Sequence, residues 1–183
     1  MFLKKPDESL ALLKPFLTGR HVWDMGAGET PRIVADILLS SEIGAKYVTS
    51  VDASFGRRRS TPNHKIICSD YNLIKGVDDV VLVSWPSAYG VKPGWLKTAR
   101  VLVFIGANDG CTACYLPGLF TEMAKREVLF HQEASKGGDC LESQDFQVCG
   151  DRLPSLRAAT AIETRGLNVE QWHPSNGVGK AYE

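Results

Sequence analysis

The chain has 183 residues, a length that suits one domain with a substantial core. Lys and Arg total 21 and Asp and Glu total 21, so the net charge of zero provides no general attraction to nucleic acid or anionic lipid. No run approaches the roughly 20 apolar residues of a membrane span, and residues 1–8 lack the apolar run of a signal peptide. We therefore expect a single domain over residues 1–183, located in the cytoplasm and not in a membrane.

A short helix is predicted over residues 7–17, ahead of the first strand. Its partial apolar stripe consists of Leu10, Leu13 and Leu17. Pro15 is expected to kink or end this helix, because proline lacks the backbone N–H group that a helix interior needs.

A strand, a glycine turn and a helix are predicted next. Residues 21–25 contain strand-forming side chains, while Gly26 and Gly28 allow a tight turn and the close approach of a ligand. Thr30 is placed to cap the following helix, and Pro31 suits its first position. Such a unit points free N–H groups and the positive end of a helix dipole into one cleft, which favours an anionic or carboxylate-bearing group.

The residues around the glycine turn distinguish between cofactors. A dinucleotide fingerprint needs a small residue three positions after the second glycine, where this chain has Pro31. The pattern Asp24-x-Gly26-x-Gly28 instead resembles the first motif of class I S-adenosylmethionine-dependent methyltransferases. That resemblance implies that Gly26, Ala27 and Gly28 wrap the methionine moiety and that Asp24 lies near its ammonium group. The alternative is a turn that only joins a strand to a helix.

A second strand is predicted over residues 47–52, and it ends in Asp52. A carboxylate at this place can accept hydrogen bonds from both ribose hydroxyls of S-adenosylmethionine or NAD, although a turn-capping role is the alternative. The arginines that follow, Arg57, Arg58 and Arg59, could contact a phosphate of a nucleotide or of RNA. A solvated surface loop is the preferred interpretation, so nucleic acid is not the favoured partner.

The third and fourth strands carry further polar ends. The third is predicted over residues 65–71, with Cys68 buried, and a single helical turn connects it to the fourth. In the methyltransferase family an acidic residue at the end of the third strand often binds the adenine amino group, and the next side chain lies against the ring. The resemblance implies these roles for Asp70 and Tyr71.

The fourth strand, residues 79–84, is a continuous apolar run typical of a parallel sheet covered on both faces. It ends in Ser84-Trp85-Pro86-Ser87, whereas class I enzymes that methylate amino groups have an acidic or amide residue, two prolines and an aromatic residue here. Amino-group specificity is therefore not implied. Ser84 and Trp85 are still expected to act at the reaction centre, because strand ends on the ligand side of such sheets build the active site.

The second half of the sequence contains candidates for two further kinds of site, a general base and a metal site. Asp109 and His131 are candidate general bases, although a turn and a core position fit them better. Cys111 and Cys114 form a lone CxxC without a second closely spaced pair, so no metal site is expected.

The remaining elements complete a fold class. Further segments are predicted as strands over 100–105, 127–131, 146–148 and 166–172, and as short helices within 88–98 and near 119–123. Together with the resemblance they predict an α/β fold: a three-layer Rossmann-like sandwich with a mostly parallel central sheet and an antiparallel C-terminal edge. The implied function is S-adenosylmethionine-dependent methyl transfer to an unidentified small-molecule acceptor. The alternatives are a noncatalytic S-adenosylmethionine- or nucleoside-binding subunit and, disfavoured by Pro31, an NAD-dependent oxidoreductase.

Overall fold

The computed structural model describes residues 10–54, 56, 58–84, 93–106, 118–132 and 145–150, with the backbone alone at 120, 132, 145 and 146. Its strands are β1 (His21–Met25), β2 (Tyr47–Asp52), β3 (His64–Cys68), β4 (Val80–Ser84), β5 (Val101–Gly106), β6 (Glu127–Gln132) and β7 (Asp145–Gly150). They form one seven-stranded sheet in the order β3-β2-β1-β4-β5-β7-β6. Strands β1 to β5 are parallel, whereas β7 runs antiparallel to β5 and β6 antiparallel to β7. The predicted antiparallel edge is therefore confirmed, with β6 and β7 supplying it, and the strand predicted over residues 166–172 lies outside the described residues.

Helices cover both faces of this sheet, which confirms the three layers. They are α1 (Lys14–Leu17), α2 (Pro31–Leu39), α3 (Trp95–Thr98) and α4 (Leu119–Met123). Leu17 of α1 and Leu38 of α2 belong to the core on one face, which we call the α2 face. Trp95 of α3 and Met123 of α4 belong to the core on the other, which we call the α3 face. No helix among the described residues is long and apolar enough to cross a membrane.

Residue alternation divides each central strand between the two faces. Val80 and Leu82 of β4 pack on the α2 face, while Val81 and Val83 pack on the α3 face. All five residues of β4 are buried, as expected for a central parallel strand that helices cover on both sides. Such a strand is a rigid support for a polar residue at its end.

The connection from β3 to β4 is short, as the sequence predicts. It contains one 3-10 turn, Tyr71–Leu73, in place of a crossover helix. The turn is closed by Asp70, whose Oδ1 accepts a 2.8 Å hydrogen bond from the backbone N–H of Asn72. Its short length keeps Tyr71 close to the end of β1.

The helix predicted over residues 7–17 is interrupted at residues 12–13, just before Pro15, as expected from the proline. Pro15 itself lies in the first turn of α1, where the missing N–H costs nothing. Two other expectations about single residues were wrong. Cys68 is exposed rather than buried, because it ends β3 at the edge of the sheet. His131 is half-buried on the opposite edge strand, β6, and is not a core residue.

Candidate functional site

The strand order reverses between β1 and β4, at the centre of the parallel part of the sheet. The chain leaves β1 towards β2 on one side, while β4 and β5 lie on the other side. In open α/β sheets this reversal creates a crevice outside the carboxyl ends of the strands, where ligands bind. The candidate site residues at the ends of β1, β2 and β4 all lie at this edge.

The glycine turn begins where β1 ends and is fastened to β2. The N–H groups of Gly26 and Ala27 donate to the carbonyl oxygen of Val51 at 2.9 and 3.2 Å. Gly26 has a φ of 76° and Gly28 a φ of 70°, a left-handed backbone that glycine adopts without strain. A Cβ added to Gly26 would lie 3.5 Å from Cε1 of Tyr71, so the aromatic ring packs directly against the turn.

Asp24 is a fully buried carboxyl group, with 0% of its surface exposed. Neither of its carboxyl oxygens has a hydrogen-bond partner within the described part of the chain. Burial raises the pKa of Asp24 from 3.8 to about 7, and the negative charge of Asp52 adds to the rise. A buried carboxylate without a partner is costly, and such groups in clefts are frequent at functional sites.

Ser84 ends β4 on the same face of the sheet as Asp24. Leu82 lies beside Asp24 in the β1–β4 register and packs on the α2 face, and Ser84 is two residues further along the same strand. The Ser84 side chain is 3% exposed, and its hydroxyl oxygen has no partner among the residues that the structure describes. Two buried polar groups without partners among the described residues therefore lie on one face of the sheet, near the carboxyl ends of β1 and β4. Trp85, the neighbour predicted to act with Ser84, lies outside the described residues.

Asp52, at the end of β2, is in contrast well supplied with donors. The N–H of Gly28 donates to Oδ2 at 2.8 Å, and the N–H and hydroxyl of Ser54 donate to Oδ1 at 2.8 and 2.6 Å. Partial burial alone would raise the pKa of Asp52, but these hydrogen bonds outweigh it and lower the pKa. Asp52 is therefore ionised at neutral pH, and it holds Gly28 in place.

Asp70 and Tyr71, the two residues predicted to contact the adenine, lie in the connection after β3, and the Tyr71 ring packs against the glycine turn. Asp70 is exposed, and its Oδ1 also accepts a 2.9 Å hydrogen bond from the side-chain amide of Asn72. The carbonyl oxygen of Tyr71 accepts a 2.8 Å hydrogen bond from the indole N–H of the buried Trp95. The Tyr71 backbone is thereby fixed from the α3 face, where its ring lies against Gly26.

Two of these contributors, Ser54 and Trp95, were not predicted from the sequence. Ser54 stands two residues after Asp52, a spacing at which an aspartate often accepts from the local backbone, and this signal could have identified it. No local pattern indicates the bond from Trp95 to Tyr71, because it joins residues that are 24 positions apart.

Other predicted candidates are not brought to this edge by the described structure. His131 lies on β6, and β4, β5 and β7 separate that strand from β1. Arg58 and Arg59 are exposed in the loop before β3. Further candidates lie outside the described residues: Arg57, Asp109, Cys111 and Cys114.

Several solved structures with a similar fold are methyltransferases. The N-methyltransferase NodS from Bradyrhizobium japonicum WM9, in complex with S-adenosyl-L-homocysteine, is 12% identical over 83% of this chain and 88% of that chain, with a TM-score of 0.55. Magnesium protoporphyrin IX methyltransferase from Synechocystis PCC 6803, with bound S-adenosylmethionine, is 12% identical over 80% and 77%, with a TM-score of 0.54. This chain has the class I methyltransferase fold.

A third structure agrees with this conclusion. A methyltransferase dependent on S-adenosylmethionine from Aquifex aeolicus is 16% identical over 81% of this chain and 90% of that chain, with a TM-score of 0.50. No protein-family model and no curated protein sequence matches the chain. At these identities the likeness confirms the predicted fold, whereas the chemistry depends on the residues of the site.

Proposed function

We propose that the protein binds S-adenosylmethionine and transfers its methyl group to a small-molecule acceptor. The observation that carries the proposal is Asp24, a buried carboxyl group without a partner among the described residues, directly before the glycine turn. A group of this kind needs a cation and hydrogen-bond donors, and the ammonium group of the methionine moiety supplies both.

The neighbouring residues fit the rest of that cofactor. Gly26 and Gly28 have no side chain to fill the turn, so a ligand can approach the backbone closely. An ionised carboxylate has about four acceptor sites, of which Asp52 uses three for Gly28 and Ser54. One acceptor site is left for a ribose hydroxyl, and a second becomes available if the Ser54 hydroxyl turns away. Asp70 and Tyr71 would then border the adenine.

The cofactor supplies a methyl group on a sulfonium centre, and its transfer is an in-line displacement that depends mainly on positioning. Ser84 and Trp85 would orient the acceptor, with the unpartnered Ser84 hydroxyl donating to or accepting from it. The described residues form a sheet and its covering helices, and none of them builds a separate substrate domain. This favours a small molecule as the acceptor.

Calorimetry with purified protein tests the proposal. We expect S-adenosylmethionine and S-adenosylhomocysteine to bind and NAD not to bind. Asp24→Asn should weaken S-adenosylhomocysteine binding about 100-fold, because the ammonium loses a buried charge-assisted partner. Glu42→Gln, which alters an exposed carboxylate after α2, is the matched control and should leave the affinity unchanged. Binding of NAD alone, or equal affinities of the Asp24 variant and the wild type, would refute the proposal.

A second candidate is a noncatalytic cofactor-binding subunit. It is favoured by Trp85-Pro86-Ser87, which departs from the pattern of class I enzymes after the fourth strand. A labelled methyl donor incubated with a panel of small molecules, peptides and RNA separates the two candidates. Transfer to any acceptor supports the enzyme, whereas tight cofactor binding without transfer to the whole panel supports the subunit.

A further inference from the structure

Three polar side chains cross the α2 face of the sheet on adjacent strands. They are Asp24 on β1, Ser50 on β2 and His64 on β3, with 0%, 0% and 3% of their surfaces exposed. Asp24 is paired with Ser50 in the register of β1 and β2, so the two Cα atoms are about 5 Å apart and both side chains point to the same face. His64 is paired with Val48, which packs on that face too.

Ser50 and His64 are hydrogen-bonded to each other. The Ser50 hydroxyl oxygen lies 2.9 Å from Nε2 of His64. A hydroxyl has one hydrogen, and a neutral imidazole nitrogen either accepts or donates according to its tautomer. If Nε2 accepts, the Ser50 hydrogen points to His64. If Nε2 carries the ring hydrogen, the Ser50 hydrogen is available to another acceptor on the same face.

The adjacent acceptor is Asp24. Both of its carboxyl oxygens lack a partner among the described residues, and Ser50 is its register neighbour on β2. Ser50 and Asp24 are not hydrogen-bonded in the structure, so the contact requires the Asp24 carboxyl group to turn towards Ser50 and the Ser50 hydroxyl to turn its hydrogen away from His64. The carboxylate would gain a buried hydrogen bond, and His64 would satisfy Ser50 by donating from Nε2.

We propose that Ser50 is a switchable donor to the Asp24 carboxylate and that His64 controls the switch through the same hydroxyl. When Asp24 is protonated, Ser50 donates to His64. When Asp24 is ionised, His64 donates to Ser50 and Ser50 donates to Asp24. The neutral imidazole keeps one hydrogen throughout and only changes the nitrogen that carries it. The switch adds a control to the proposed function and rests on it, because the ammonium group of the bound cofactor is the cation that favours ionised Asp24.

The charges around Asp24, Ser50 and His64 are compatible with this switch. Burial lowers the pKa of His64, the carboxylate of Asp36 on α2 opposes that change, and Arg32 on α2 reinforces it. The ring is therefore neutral at pH 7 and has both tautomers available. Asp52 is the described acidic group that acts on Asp24, and it favours the protonated carboxyl form. In the proposed switch, the hydrogen bond from Ser50 opposes this effect by stabilising the carboxylate.

Titration of the Asp24 carboxyl carbon by NMR in the free protein tests the switch without any ligand. Ser50→Ala should raise the pKa of Asp24 by about one unit, because the carboxylate loses its donor. His64→Leu should lower it by up to about one unit, because Ser50 then has no competing acceptor. If these three side chains only stabilised the fold, the two substitutions would have no reason to shift the pKa of Asp24 in opposite directions.

The opposite face of β2 provides a matched control. Thr49 forms the same kind of bond, with its hydroxyl oxygen 2.8 Å from Nε2 of His21, but it points to the α3 face, away from Asp24. Thr49→Val removes a comparable hydroxyl–imidazole bond and should leave the pKa of Asp24 unchanged. If Ser50→Ala proves unstable, Ser50→Cys keeps a weak donor and should give a smaller rise.

Binding measurements distinguish this inference from the proposed function. At pH 6, Ser50→Ala should weaken S-adenosylhomocysteine binding about tenfold, with little change at pH 9. Wild-type binding with identical Asp24 pKa values in the Ser50, His64 and Thr49 variants would overturn the switch and leave the proposed function standing. Absence of wild-type binding, together with the expected pKa shifts, would overturn the cofactor and leave the Ser50 contact established.

Discussion

The polar groups at the amino ends of β1 and β4 are hydrogen-bonded, whereas those at the carboxyl ends are not. At the amino end, Nη1 of Arg20 donates to Oδ1 of Asp79 at 2.7 Å, and the backbone N–H of His21 donates to Oδ2 at 3.2 Å. The indole N–H of Trp23 donates to Asp78 at 3.1 Å. At the carboxyl end, Asp24 and Ser84 are buried without partners among the described residues.

This difference separates groups that hold the fold together from groups that are available to a ligand. Buried polar groups in folded proteins are normally hydrogen-bonded, and exceptions require an explanation. The paired amino end shows that the same strands can satisfy a carboxylate from within the chain, as Arg20 does for Asp79. The unpaired polar groups at the carboxyl end are therefore consistent with the proposed role of this end in binding a ligand.

The largest effect is expected from Asp24 on the pH dependence of stability. The pKa of its carboxyl group is 3.8 ordinarily and about 7 in the folded protein. The folded state therefore binds the proton more tightly than the unfolded state, and ionisation lowers stability as the pH rises from about 4 to about 7. At about 1.4 kcal/mol for each unit, the full loss is about 4 kcal/mol.

Urea unfolding between pH 5 and pH 8 measures this effect. The free energy of unfolding of the wild type should fall relative to that of Asp24→Asn, which cannot ionise at this position. Above pH 7 the variant should be the more stable protein, although it binds S-adenosylhomocysteine worse. Parallel stability curves for the two proteins would show that Asp24 is not destabilised by its surroundings.

A substitution at the hydrogen-bonded amino end should have the opposite effects to Asp24→Asn: it should lower stability and leave ligand binding unchanged. Asp79→Asn should lower the free energy of unfolding by about 1–2 kcal/mol, because the half-buried Arg20 loses its ion pair. Calorimetry should show an unchanged affinity for S-adenosylhomocysteine. A loss of affinity comparable to that of Asp24→Asn would mean that the two ends do not have separate roles.

The backbone can be compared at the two ends of β1 through one glycine near each end. Gly26 has a φ of 76° at the candidate site, and Gly19 has a φ of 71° just before β1, with no atom within 4 Å of an added Cβ. Substitution by alanine should reduce stability by about 1 kcal/mol at both positions, because the left-handed backbone disfavours a side chain. Only Gly26→Ala should also weaken cofactor binding, as measured by calorimetry.

The smallest effect is expected from the two described cysteines. Cys68 is exposed beside Asp52 in the register of β2 and β3, whereas burial raises the pKa of Cys149 to about 12. Brief alkylation followed by mass spectrometry should modify Cys68 and spare Cys149. Saturating S-adenosylhomocysteine should slow the reaction of Cys68. Unchanged labelling of Cys68 in the saturated protein would place the ribose elsewhere.

The sequence predicted best those elements whose structure is determined by residues close together in the chain. The strands around Val48 and Val81 could be predicted because parallel sheets bury continuous apolar runs. The turn at Tyr71–Leu73 could be predicted because the chain between β3 and β4 is too short for a longer helix. The glycine turn followed from Gly26 and Gly28, whose positive φ angles the structure confirms.

Properties that depend on strand order could not be predicted. Cys68 and His131 were expected to be buried, but each lies on an edge strand, and only the order of the sheet determines which strands are edges. The lack of a partner for Asp24 and its proximity to Ser50 depend on the register of β1 and β2. The sequence could therefore indicate which polar residues follow the strands at the candidate site, but not their hydrogen-bonding partners.

The most direct measurement is the pKa of Asp24 by carbon NMR, without ligand and with saturating S-adenosylhomocysteine. Without ligand the pKa should be about 7. With the ammonium group bound, it should fall by at least about two units, because an opposite charge at close range favours the carboxylate. An Asp24 pKa that saturating ligand leaves unchanged would contradict the central claim that this buried carboxyl group binds the cofactor's cation.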